Sequence, residues 1–209
     1  FLQHHTSHLK ESLSLLTDSY KIALEAGDLE YVGYAAYHLC FGSYLIGYEL
    51  TALEQTMQGY VQVLSELKQV TTLNYCQICR QAVLNLAASE SKPFLLIGEA
   101  FNEETGIPQL LAANDATGRF TLYTHKLILS YLFEASSEAK SNAAQVRQFA
   151  MAGGGFPMSP TFYCYDSLLA LRALSVLSVA EEAEDDESVL ERDTLLKQVD
   201  ENQEKLGLW

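Results

Sequence analysis

Basic residues are scarce in this chain. Thirteen lysines and arginines stand against twenty-seven aspartates and glutamates in 209 residues, for a formal net charge of −14. A surplus of that sign repels phosphate backbones and anionic lipid, so neither nucleic acid nor a membrane surface is an expected partner. No run of about 18 apolar residues occurs, and the opening residues lack the basic start and apolar middle of a secretory signal. The expected location is the cytoplasm. Four cysteines, Cys40, Cys76, Cys79 and Cys164, are too few and too scattered for a disulfide framework, and reduced thiols are expected. Alternation of period two is missing throughout, which argues against strands. The signatures of common chemistry are missing as well: there is no G-x-S-x-G, no H-E-x-x-H and no phosphate-binding G-x-x-x-x-G-K-[ST]. Catalysis and a bound cofactor are therefore not expected of this chain.

Helical spacing, by contrast, is nearly everywhere. Leu9, Leu13, Leu16, Tyr20 and Leu24 share one face at steps of three and four, as do Leu53, Met57, Tyr60, Leu64 and Leu67. Ala139, Ala143, Val146 and Ala150 repeat the pattern. Between these stripes, Gly27 followed by Asp28 reads as a helix-ending glycine and the cap of the next helix, and Asn114 with Asp115 offers the same chemistry. Thr72 and Ser159, the latter before Pro160, complete a series of caps spaced 44, 43 and 44 residues apart. His38 in HLCFGSYL and His125 in HKLILSYL each fall ten residues after a cap, two units apart. Ala82 and Leu169 take that place in the other units, so the histidines read as packing positions of a repeat.

The expected architecture is all-α, a single helical-repeat domain over residues 1–209. A leading helix, 6–26, precedes four antiparallel hairpins: 28–46 with 50–69, 72–88 with 102–113, 115–134 with 136–151, and 159–178 with 188–206. Such hairpins cannot bury their apolar faces alone and stack into a TPR-like α-solenoid; the unit length keeps a HEAT-like array as the alternative. Residues 92–106 are expected to tuck against the stack or form an irregular turn, and 151–160, with three glycines and two prolines, to form a flexible joint.

Several side-chain groups invite a chemical reading. Cys76 and Cys79 form a C-x-x-C, but it lies in a helix with Val83 and Leu86 on the same stripe and no second ligand pair, which makes it core. His4, His5 and His8 are read as surface histidines at a chain end, not a metal site. The glycine run 153–155 is read as a loop, and the acidic run 181–193 as a solvated connection. The tyrosines are the richest group: Tyr31, Tyr34 and Tyr37, with His38, crowd one helix. Large aromatics fill the space between hairpins, and the alternative is that these four line a groove for a peptide or an apolar ligand.

Four stretches, GDLEYVGYAAYHLCFGSYLIG, LLIGEAFNEETGIPQLLAANDATGRF, FYCYDSLLALRAL and ENQEKLGLW, resemble the helical middle region of very large bacterial signalling kinases of the cyanobacterial type. In that family a serine/threonine kinase domain precedes a STAND-type ATPase, a TPR-like helical region, a GAF sensor and a histidine kinase. The resemblance implies that the chain is a fragment of a longer protein and a non-catalytic module for protein interaction and regulation. Its partners would be neighbouring domains or another protein. A small-ligand sensor with an aromatic pocket between hairpins is the competing expectation.

Overall fold

The structure, a computed structural model, describes residues 8–88, 92–153, 156–179 and 186–208. Among them are nine α-helices and no strand: α1 (Leu9–Ala26), α2 (Leu29–Leu45), α3 (Leu50–Glu66), α4 (Val70–Ala87), α5 (Glu103–Ala112), α6 (Ala116–Leu132), α7 (Ser136–Gln148), α8 (Met158–Val179) and α9 (Asp186–Leu206). None of these helices is long and apolar enough to cross a membrane.

One turn recurs. After α1, α2, α3, α5 and α6 a single residue adopts the left-handed conformation: Gly27, Gly47, Lys68, Asn114 and Glu134 respectively. The next amide then donates to the carbonyl five residues back, as in Asp28 to Ala23, Gln69 to Leu64 and Asp115 to Leu110, each at 2.9 Å. This is the Schellman closure, which satisfies carbonyls that the helix leaves open and leads into the next helix within two to four residues. Asp28 and Asp115 then cap α2 and α6, accepting from the backbone N–H of Tyr31 and Gly118. Thr72 is not a cap. It lies in the first turn of α4, whose N-cap is Gln69, and Ser159 lies inside α8, where its hydroxyl donates to the Gly153 carbonyl. The even beat of the caps is therefore lost, although the helices themselves fall where the spacing puts them.

The pairing of helices is the expected one in the second half of the chain, α6 with α7 and α8 with α9, and differs in the first. The close hairpins are α1 with α2, α3 with α4, α6 with α7, and α8 with α9, while α2, α4, α6 and α8 lie side by side in a row. The leading helix is thus half of the first hairpin, and α5 is the odd helix, resting on α6. Backbone approach explains the choice at α2. A Cβ at Gly42 would run into Leu13 of α1, and one at Gly33 into Thr72 of α4, so the faces of α2 that allow close contact are taken by those two helices. Thr72 is buried because it sits at that crossing.

The main core follows the row, from Ala23 in α1 through Met57, Cys79 and Leu127 to Leu169 in α8. A second cluster forms around Ile78, Ala82, Leu96, Leu122 and Leu129. It lies under residues 92–102, which tuck against α4 and α6 and cover the place that a short α5 leaves. Fully burying Leu96 contributes about 1.5–3 kcal/mol. Of the expected joint at 151–160, residues 154 and 155 lie outside the described ones; a short 3-10 turn spans Ala150–Gly153, Met151 is exposed, Met158 is buried, and Phe156 packs on the core.

Candidate functional site between the first two helices

The four residues singled out on α2 do not share one surface. Steps of three and four on a helix hold Tyr31 and Tyr34 together, and both are open to solvent at 56% and 39% exposure. Their rings meet edge to face at 6.4 Å, and the Tyr34 hydroxyl donates to Glu30 at 3.0 Å. Tyr37 turns the other way and is 4% exposed. Its hydroxyl is 2.9 Å from the Thr121 hydroxyl of α6 and donates to the Met158 sulfur of α8 at 3.8 Å. Burial pushes its phenol well above the ordinary range, with Cys79 adding to the effect. Tyr37 is therefore a core residue joining three helices of the row. His38 is half-buried, with Nδ1 2.7 Å from the Tyr34 carbonyl and its ring 5.0 Å from that of Phe156.

The C-x-x-C is core, as its stripe indicates. Cys76, Cys79 and Val83 are fully buried. A hydrogen bond that the Cys76 thiol donates to Cys40 raises it and burial adds to the effect; burial raises that of Cys79. Thiols held protonated are poor nucleophiles and poor metal ligands. His125 faces Cys79 with Nε2 3.2 Å from the sulfur, while its buried Nδ1 has no hydrogen-bond partner. Phe41 and Tyr44 present ring edges at 5.6 and 5.1 Å, and desolvation lowers the imidazole to about 3. A neutral ring in an apolar box is a packing group. Among the described residues no three His, Cys, Asp or Glu side chains form a group able to hold a metal ion. His8 caps α1, accepting from the Lys10 amide at 3.1 Å. His4 and His5 lie outside the described residues, as do Gly154, Gly155 and positions 181–185 of the acidic run; the rest of that run belongs to α9.

A polar clip joins the 92–102 segment to the row. Gln81 Oε1 accepts from the amides of Ala100 and Phe101 at 3.0 and 3.1 Å. Asn85 donates to the Pro93 and Leu95 carbonyls at 2.9 and 2.6 Å. Glu103 accepts from the Leu96 amide at 2.7 Å and pairs with Lys126, and Arg80 joins Glu54 to Glu99. These bonds give buried backbone groups of an irregular segment the partners that a helix would otherwise supply. They position structure.

A cleft of about 430 Å³ lies between α1, α2 and Pro157. Its walls are apolar: Leu9, Leu16 and Ile22 from α1, Phe41 from α2, and Pro157. Ser12, Asp18, Ser19 and His38 supply the polar atoms, and Ser12 is 7% exposed with a buried hydroxyl that has no partner. Of the four groove residues named from the sequence, Tyr31, Tyr34, Tyr37 and His38, only His38 reaches this cleft. Ser12 and Asp18 were missed; the one signal for Ser12 is a hydroxyl set inside the apolar stripe between Leu9 and Leu16. A second cleft of about 490 Å³ lies among α7, α8 and α9, lined by Arg147, Leu169, Ala173, Leu190 and Glu191 among others. No protein-family model, no curated protein and no solved structure matches the chain.

Proposed function

We propose that the chain is a non-catalytic helical-repeat module, a TPR-like solenoid that acts in the cytoplasm by protein interaction and regulation. The observation that carries this reading is the distribution of exposed apolar side chains. They are denser on the first hairpin, at Leu15, Ile22 and Leu29, and on the last, at Leu171, Val176 and Leu190, than on the elements between, where Val70, Leu111, Leu132 and Met151 are also open. Middle units of a repeat array bury their faces against neighbours on both sides, so apolar side chains left open at the ends fit contact with a further domain or a partner. The resemblance to multidomain signalling kinases sets the module between an ATPase and a sensor domain; that context rests on the sequence runs alone. The test is association with the flanking domains of the natural gene. Leu171→Glu with Leu190→Glu is expected to weaken it at least tenfold with helicity unchanged, and absence of association in the unsubstituted protein would refute the reading. A second reading, a small-ligand sensor, is favoured by the α1–α2 cleft, whose size and apolar walls are those of a ligand site.

A further inference from the structure

The geometry points to the α1–α2 cleft as the site of an elongated apolar amine that carries a second hydrogen-bonding atom, an inference that rests on the sensor reading. Leu16, Phe41 and Pro157 give the apolar body its contacts. Among the described residues that line the cleft Asp18 is the one carboxylate, and none is a lysine or arginine; Lys10 borders a different cleft on the other flank of α1. A cationic head is therefore favoured over an anionic one, in keeping with the net charge of −14. Ser12 calls for the second polar atom. Its hydroxyl is buried in the cleft wall without a protein partner, a costly arrangement that a ligand donor or acceptor would relieve. Ser12 and Asp18 are six residues apart on one helix, about 9 Å along its axis, so the two polar groups sit toward opposite ends of the ligand.

The experiment uses the uncharged dye Nile red as reporter and three eight-carbon competitors: octylamine, octanoate, and an aminooctanol with its polar groups at opposite ends. Nile red is expected to fluoresce on binding and to lose that signal in Ser12→Phe, which fills the cleft. Octylamine should displace it about two- to fivefold more effectively than octanoate, a preference that Asp18→Asn removes. The aminooctanol should exceed octylamine by about two- to tenfold, an advantage that Ser12→Ala removes. Circular dichroism shows whether each variant is folded, and Asp18→Asn, on the exposed rim, reads the head-group preference even where Ser12→Phe does not fold. Dye binding that folded Ser12→Phe leaves unchanged, or no dye binding at all, would overturn the sensor reading of the cleft and the ligand with it. Binding lost in Ser12→Phe but with octanoate as effective as octylamine would overturn the amine alone.

Discussion

The stretches HLCFGSYL in α2 and HKLILSYL in α6 place histidine, serine, tyrosine and leucine at the same spacing, and the row of helices puts them to different use. α6 has α4 on one side and α8 on the other, with α5 and α7 packed against it, so its stretch from Phe120 to Ser130 is buried but for Tyr123. α2 has α1 and α4, with α3 packed against it, and the flank carrying His38 opens onto the cleft. Tyr44 and Tyr131 do comparable work, meeting His125 and Tyr165 edge to face at 5.1 and 5.5 Å. The histidines do not: His125 is sealed among rings and a thiol, whereas His38 is half-open. A shared pattern therefore does not give its residues a shared environment; the place of the helix in the row decides which of them solvent can reach.

The sharpest difference is the residue after the histidine, Leu39 in α2 and Lys126 in α6. Both are buried, and Lys126 pairs with Glu103, which is buried as well. Giving the second stretch the residue of the first, Lys126→Leu, strands the Glu103 carboxylate. Breaking one side of a buried pair costs about 3–5 kcal/mol, the largest effect expected here. Urea unfolding at pH 7 measures it. A loss below about 1 kcal/mol would mean that α6 tolerates the apolar residue as α2 does, and the contrast between the stretches would fail.

The buried histidine of the second stretch responds to acid. With the His125 imidazole lowered to about 3 by desolvation, the folded protein keeps the ring neutral where the unfolded chain protonates it near 6.5. Above pH 6.5 the ring contributes no pH dependence. Between 6.5 and 3 the unfolded state binds the extra proton, so stability falls by about 1.4 kcal/mol per pH unit, or about 2 kcal/mol by pH 5. His125→Leu is expected to flatten this limb of the stability profile by one proton, with His38→Leu as the comparison. A slope removed by the substitution at His38 instead would exchange the roles of the two stretches.

How much of this was legible depends on how local the cause is. Apolar spacing is set within one helix, and the helices lie where it put them. Asp28 and Asp115 cap through their own side chains and were readable, but Lys68 and Glu134 adopt the left-handed conformation without the glycine that would announce it. Thr72 has the chemistry of a cap and the duty of a contact residue, which only the approach of Gly33 reveals. For the candidate site, spacing showed that Tyr31, Tyr34, Tyr37 and His38 crowd one helix. It could not show that Tyr37 points to α6 while Tyr31 points to water, since α2 has neighbours on two sides. The clip of Gln81, Asn85 and Glu103 joins residues distant in the chain, and no periodicity encodes such meetings.

The smallest contrast is at the serines, and it tests whether burial alone separates the stretches. Ser130 is fully buried and accepts a hydrogen bond from the Asn142 amide of α7 at 3.1 Å, while Ser43 is partly exposed on the wall of a cleft beside α1 and α3. Ser130→Ala leaves the buried Asn142 donor without that acceptor, at a cost of about 1–2 kcal/mol. Ser43→Ala should fall within about 0.5 kcal/mol of the unsubstituted protein, because water can replace what the hydroxyl provided. Thermal unfolding of the pair, side by side, measures the difference. Equal losses at both sites would mean that the hydroxyl serves each helix locally, through its own backbone, and that the α6–α7 contact adds nothing.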